Sequence, residues 1–381
     1  MAKTISKRKI NKVKKEYNKL PKFLKVTLVI LIALALIFGG VYYYYTYIKK
    51  DTITGEISIH FLELGNKNTG DCIYIKAGEN DILIDGGSMP NSESTIKSYV
   101  DDYVLDNKLE YVIVTHADTD HIACYAGDNS HNSLFDDYKV DTIIDFPKSN
   151  KDTAIYNRYK EKRASAVENG AKHYTALECY NNENGAKREY NLSNGISLKI
   201  LNNYYYTHTS SKENNYSVCF LINQGDNNYL FTGDLESQGE SKLVELNNLP
   251  KCTLFKAGHH GSGTSNTKTL LDVIKPDYIA ITCVAGSTEY SKNINNTFPY
   301  QSVVDTISEY TDNVFVTTCI DLAETETEGE YKEYGEQRSL NGTIIFCCDK
   351  GNITFKGTYS SQKLKDSDWF KTYRQCPQAW L

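Results

Sequence analysis

The 381 residues include 42 Lys or Arg against 48 Asp or Glu, for a formal net charge of −6, and 40% are hydrophobic, enough to bury a sizeable core. The first fifty residues hold 12 basic side chains and one acid (Glu16), which leaves 30 basic and 47 acidic groups, net −17, for the remainder. Such an acidic remainder opposes non-specific polyanion binding, because counterion release needs local positive charge; a nucleic-acid substrate requires a basic patch or a bound metal.

At the N-terminus, Val26–Ile48 carries no charge for 23 positions, about 35 Å as a helix at ~1.5 Å per residue, which spans a bilayer. Tyr43 to Tyr45 read as an interfacial aromatic belt rather than a cleavage site. Ten Lys or Arg precede the span and only Lys49 and Lys50 follow it closely. The positive-inside rule therefore places the N-terminus in the cytoplasm and the chain after Asp51 outside.

Beyond the span, segments 57–64, 71–77 and 80–85 read as three antiparallel strands with turns at "NKNTG" and "GEN". A helix near 92–105 leads to a strand at 109–115. Alternation continues with a strand at 140–145, a helix at 153–168, and strands near 173–178, 196–201, 217–223 and 228–232. The block from Lys251 reads strand, polar loop, helix, strand; a helix near 300–310 and strands at 313–318, 342–347 and 352–356 close the chain. Residues 321–340, with "TETEGE" at their centre, read as a solvated loop or insertion. Tyr204 to Tyr206 read as a strand edge of mixed burial rather than a base-stacking platform. No repeat or linker divides 55–358, and strands clustered in each half with helices between suggest packed sheets covered by helices.

The ten cysteines are irregularly spaced, without a C-x-x-C framework. Cys72, Cys219, Cys252 and Cys283 lie in apolar runs and read as buried free thiols, whereas Cys347 and Cys348 point to opposite strand faces and are poor partners for each other.

The chemistry concentrates at strand ends. "VIVTHADTDHIACYAG" (112–127) sets His116, Asp118, Asp120 and His121 directly after a strand, in the pattern H-x-D-x-D-H. Two imidazoles and two carboxylates suit a divalent transition metal. Asp234 in "YLFTGD" and His259–His260 in "KAGHHGSGTS" repeat the placement after two further apolar runs. Lys256, Ser262 and Thr264 surround the histidine pair and suit a phosphate. His60 and His173 fall within strands and read as structural; His208 is a weak candidate ligand.

"THADTDHI", "YLFTGD" and "KAGHHGSGTS", in this order, resemble the metallo-β-lactamase fold, and specifically the hydrolase domain of ComEC-type DNA-uptake proteins. "HFLELGNKNTGDCIYIK", "ILIDGG" and "NNYSVCFLI" extend the resemblance over roughly 57–356. It implies a four-layered αββα fold at 55–358, between a basic cytoplasmic segment (1–25) with its membrane helix (26–48) and a C-terminal tail (359–381). It also implies two divalent ions, Zn or Mn. His116 and Asp118 hold one, Asp120 and His121 the other, Asp234 bridges them, and His259 completes the second. His260 is an alternative ligand or protonates the leaving oxygen, and Asp120 and His260 are the catalytic residues. Two metals about 3.5–4 Å apart deprotonate a bridging water to a metal-bound hydroxide and neutralise a phosphoryl oxygen.

Two departures accompany the resemblance: Ala123-Cys124 replaces the Gly-Gly after the motif, and Phe298-Pro299 replaces a His-Pro. The third ligand histidine is not identifiable among His131, His173 and His208. The multi-span channel of the uptake proteins is absent, so transport requires a separate partner. The expectation is a membrane-anchored, extracytoplasmic phosphodiesterase or nuclease. The alternatives are a lactone, thioester or β-lactam hydrolase, or an anchored DNA-binding module without catalysis.

Overall fold

The computed structural model describes residues 14–43, 55–193 and 195–381. The N-terminal segment and the compact unit from Ile53 to Leu381 are separate units. In the first, a helix runs from Lys22 to Tyr43, and its window Lys22–Gly39 has a mean hydropathy of 2.3, long and apolar enough to cross a membrane. The expected span beyond Tyr43, with the rest of its tyrosine belt, lies outside the described residues.

The compact unit is built on two eight-stranded mixed sheets. The first begins with β1 (Ile57–Phe61), β2 (Ile73–Ala77), β3 (Asn80–Ile84), β4 (Lys108–Ile113), β5 (Lys139–Asp145) and β6 (Lys172–Thr175). The second contains β7 (Glu189–Asn191), β8 (Ile196–Ile200), β9 (Phe220–Gln224), β10 (Asn227–Phe231), β11 (Leu254–Lys256), β12 (Tyr278–Ala285), β13 (Val314–Glu324) and β14 (Tyr331–Ser339). The chain then returns to the first sheet as β15 (Ile344–Asp349) and β16 (Asn352–Gly357), with β15 pairing antiparallel to β1.

Antiparallel pairing joins β1-β2-β3 and β8-β9-β10, with tight turns at β2-β3 and β9-β10 and longer loops at β1-β2 and β8-β9; pairing is parallel where helices cross over, as in β3-β4-β5-β6 and β10-β11-β12-β13. The inner faces meet through ring contacts between Phe61 and Phe231 (6.5 Å) and between Tyr229 and Phe346 (5.3 Å). One core cluster therefore draws on both sheets, while a second lies under the helices that cover the second sheet.

Four expectations change. The acidic stretch 321–340 is the long hairpin of β13 and β14, whose outward positions carry the charges and keep an exposed edge soluble. The strand expected at 173–178 stops at Thr175, where Thr175 and Glu178 form a capping box that starts the helix Ala176–Asn181. Tyr204–Tyr206 form a 3-10 turn, with Tyr205 and Tyr206 buried, rather than a strand edge. The C-terminal tail is not outside the domain: Leu364, Trp369, Phe370 and Trp380 enter the core, and the indole N–H groups of Trp369 and Trp380 donate to Ile320 O and Thr311 O, both at 3.0 Å.

All ten cysteines are free, nine of them buried. His60 is structural: it is buried, its ring nitrogens are bonded to Tyr99 and Ser58, and burial pulls its pKa down to about 3. His173 faces Asp145 at 2.8 Å, and His208 lies exposed against the Tyr204 ring.

Candidate metal centre

The site forms just past the carboxyl ends of β3, β4, β10 and β11, where both sheets deliver polar residues to one place. Asp85 follows β3, residues 116–121 follow β4, Asp234 follows β10 and His259–His260 follow β11. Asp71 arrives from the loop between β1 and β2. That loop closes tightly: Asp71 N donates to Asp120 O (3.0 Å), and a Cβ at Gly70 would lie 2.7 Å from the same oxygen. Gly233 has φ +53° and packs on Ser217, whose hydroxyl accepts from Asp234 N at 3.1 Å.

One carboxylate organises two of the histidines. Asp85 accepts from Thr115 N and Thr115 Oγ1, both at 2.8 Å, and from His121 Nδ1 at 2.8 Å. Thr115 spends its only hydroxyl proton on Asp85, so its oxygen accepts from His116 Nδ1 (3.0 Å). His260 Nδ1 donates to Thr282 O (2.8 Å). Each of these hydrogen-bond networks assigns the proton to Nδ1 and turns the Nε2 lone pair inward, the arrangement that orients a metal ligand.

Asp71, His121, Asp234 and His260 place ligand atoms within 4.8 Å of one another, all buried. Asp234 Oδ2 lies 3.2 Å from both His121 Nε2 and His260 Nε2, and Asp120 Oδ2 lies 3.4 Å from His260 Nε2. His116 Nε2, His260 Nε2 and Asp234 Oδ1 are buried without a hydrogen-bond partner. An unpaired buried polar atom costs about 1–3 kcal/mol, and His260 Nε2, inside the cluster, would gain a partner from an ion. The donor set fits Zn²⁺ or Mn²⁺ chemistry.

Asp71 belongs to this cluster by distance, but both of its oxygens are engaged elsewhere. Oδ2 contacts the Lys256 ammonium and Oδ1 accepts from the Thr282 hydroxyl, while His260 Nδ1 stands 3.2 Å from Oδ1. Asp71 thus supports His260 from behind rather than facing an ion. The same contacts correct the reading of Lys256: its side chain is only 1% exposed and its ammonium lies on Asp71 and 3.9 Å from Asp234 Oδ1, out of reach of a substrate in solvent. Burial opposes its charge, but Asp71 and Asp234 hold its pKa above the ordinary lysine value.

The histidine pair also exchanges places relative to expectation. Both residues have positive φ, 49° and 54°, on the 3-10 turn Gly258–Gly261. This turn sends His260 into the buried cluster and leaves His259 on the rim, 21% exposed, with Nε2 3.9 Å from Asp234 and Nδ1 paired with Thr264 Oγ1 at 2.8 Å. Thr264 is exposed; Ser262 is buried and bonds Thr264 Oγ1 at 3.2 Å. His116 and Asp118 sit 3.4 Å apart, and Asp118 also meets the Lys151 ammonium.

Charges within the cluster are mutually compensating. Burial works against a charged His121, yet Asp234, Asp85 and Asp120 carry its pKa well above the usual histidine value. Burial likewise opposes ionisation of Asp234, but His260 and His121 hold its carboxyl well below the usual range. A bound ion would displace these imidazole protons.

Sequence reasoning missed Asp71 and Asp85. Both lie in runs that carry the family resemblance, "NTGDC" and "ILIDGG", but each looks like a turn residue until the fold brings it behind a histidine.

The two mixed sheets flanked by helices are consistent with the metallo-β-lactamase superfamily, and the cluster is a catalytically plausible metal-binding hydrolase site. Residues 65–126 match the metallo-beta-lactamase superfamily. The chain is 32% identical to Recombination protein 2 of Haemophilus influenzae over 116 residues, 30% of this chain and 13% of that protein. It is 22% identical to ComE operon protein 3 of Bacillus subtilis over 284 residues, 70% of this chain and 32% of that protein, so it spans a third or less of either relative. Among solved structures, the metallo-beta-lactamase fold protein YhfI from Bacillus subtilis aligns at a TM-score of 0.42 and 12% identity, covering 73% of this chain and 99% of that one.

Proposed function

We propose that the chain is a membrane-anchored, extracytoplasmic metal-dependent phosphodiesterase or nuclease of ComEC-like type, on a four-layered αββα domain. The observation that carries this reading is the buried cluster of Asp71, His121, Asp234 and His260, whose ligand atoms lie within 4.8 Å of one another and in which His260 Nε2 lacks a hydrogen-bond partner. The basic residues before the apolar helix support a cytoplasmic N-terminus, with the catalytic domain outside.

His121, His260, Asp120 and Asp234 would hold one divalent ion, Zn²⁺ or Mn²⁺, and His116 and Asp118, with Asp234 between, would hold a second. Two ions, when bound, supply an activated water and neutralise charge on a phosphoryl oxygen. The protein's own residues set the geometry. Asp120, beside His260 Nε2 and partly open to solvent, accepts the proton released by the attacking water. His259, steadied by Thr264 on the rim, is placed to protonate the leaving oxygen, the role first expected of His260. Exposed Thr264, bonded to the buried Ser262, lines the approach of the phosphate, while Lys256 acts from behind Asp234. DNA translocation, if this chain serves it, belongs to a separate partner.

The full chain purified in detergent should hydrolyse bis(p-nitrophenyl) phosphate and single-stranded DNA with Mn²⁺, and lose both activities with chelator or in Asp120→Ala. Hydrolysis of lactones without phosphodiester cleavage would refute the reading. So would tight DNA binding that stays inert with every divalent metal.

A further inference from the structure

The rim of the centre has an aromatic element that neither the metal ligands nor the expected phosphate contacts explain. After β12 the chain runs through a loop to Phe298. Phe298 is buried, and its ring centroid lies 5.9 Å from that of His260 and 6.2 Å from that of His259. On it rests Tyr290, with ring centroids 5.4 Å apart. Tyr290 is 56% exposed, a large open ring for a side chain so close to a buried polar cluster. A continuous file of rings thus leads from the ligand histidine to solvent.

The surroundings restrict what this ring can meet. Burial and the carboxylates of Asp120 and Glu289 raise the pKa of the Tyr290 hydroxyl, and Asp234 acts in the same direction. Glu289 itself is tied to Asn68 Nδ2 and Thr69 N, at 3.1 and 3.2 Å. A second phosphate on this shelf would face the carboxylates of Asp120 and Glu289. A neutral, flat group would not be repelled by them, and an exposed aromatic face favours a flat partner.

We propose that Tyr290, backed by Phe298, is a stacking shelf for a nucleobase attached to the scissile phosphate. This rests on the phosphodiesterase reading of the same centre and narrows its substrate class to nucleotidic diesters. Phe298 occupies the place where a His-Pro was expected, so an apolar backing for a stacked ring replaces a polar contact there. Sequence-tolerant stacking also reconciles a nucleic-acid substrate with a net charge of −17 outside the anchor, because stacking does not draw on counterion release.

The test is binding of fluorescein-labelled single-stranded DNA to the full chain in detergent, followed by anisotropy with chelator present so that nothing is cleaved. A strand of equal length with abasic sites throughout is the control. Wild type should prefer the base-bearing strand, and Tyr290→Ala should weaken that strand roughly tenfold, from a stacking contribution of about 1–3 kcal/mol per base, while leaving the abasic strand unchanged. Tyr290→Phe should behave as wild type. Equal affinity of wild type for the two strands, equal loss on both in Tyr290→Ala, or failure of Tyr290→Phe to restore binding would overturn the proposal. Because this assay needs no turnover, its failure is distinct from failure of the Asp120→Ala hydrolysis test.

Discussion

Replacing Glu240 tests how the loop that presents His259 and His260 is held. Glu240 is fully buried on the helix Ser237–Leu246, and its two oxygens accept from Asn266 N (2.7 Å) and Thr267 N (2.8 Å). Asn266 in turn clasps Gly258, accepting from its N–H and donating to its carbonyl, both at 2.8 Å. Glu240→Ala leaves two buried N–H groups unpaired, a loss of about 2–6 kcal/mol at ~1–3 each. The same change removes a buried acid, and there the sign depends on pH. Burial raises the Glu240 pKa from 4.5 to about 7 despite its hydrogen bonds. The folded state therefore binds a proton that the unfolded state releases, and this contribution is present below pH 4.5 and lost as pH rises through about 7. At about 1.4 kcal/mol per pKa unit, wild type should lose roughly 2.5 kcal/mol of this contribution between about pH 5 and pH 8, and the variant should not. Urea unfolding of both proteins in chelator should thus show a deficit in Glu240→Ala that is largest near pH 5 and shrinks by that amount near pH 8. A deficit constant with pH would refute the argument that the cradle holds an ionisable carboxyl against its burial.

Two further substitutions probe other parts of the molecule. Lys256→Met removes the ammonium that contacts the buried Asp71 carboxylate, so urea unfolding at neutral pH in chelator should show a loss of about 3–5 kcal/mol; a neutral or stabilising result would mean that Lys256 does not hold Asp71 in place. Trp369→Ala should destabilise the domain by about 3–5 kcal/mol, because the indole is 1% exposed and bonds Ile320 O; an unchanged urea midpoint would return residues beyond 358 to the status of an appendage.

Much of the framework was legible because each strand is a short apolar run bounded by Gly, Asn or Asp, and because the ligand-type residues stand immediately after those runs. What failed to show had local causes. The hairpin of β13 and β14 has one face and an edge in water, so its composition reads as a loop; pairing with β12 reaches only Cys319, and it is pairing with β14 that makes Asp321 to Glu324 a strand. Thr175-x-x-Glu178 is a visible helix start that the apolar pattern of 173–178 outweighed. At the site, His116, Asp118, Asp120 and His121 declared themselves by density within six residues. Asp71 and Asp85 did not, since their work depends on partners 30 to 211 positions away, namely Thr115, His121, Lys256 and Thr282. The order of His259 and His260 was also beyond sequence. It follows from two successive left-handed residues, whose side chains diverge, and from Thr282 O, which fixes one of them inside.

The distribution of charge explains why this centre needs both sheets. Five carboxylates, from Asp71, Asp85, Asp118, Asp120 and Asp234, converge on three buried imidazoles, and the fixed cations that touch them are Lys256 and Lys151. The first sheet supplies Asp85 and the 116–121 group, which with the β1–β2 loop carry four of the five acids. The second supplies Asp234, Lys256, His260 and Thr282. Neither half alone is balanced: the first concentrates negative charge, and the second offers Lys256 and His260 with one acid between them. Docking the sheets brings the ammonium to Asp71 and the imidazole to Asp120, so the polar cluster stabilises the same interface that Phe61, Phe231, Tyr229 and Phe346 close with apolar rings. An ion held by His121 from the first sheet and by Asp234 and His260 from the second would then act as a clasp across that interface, and its binding free energy would count directly toward folding.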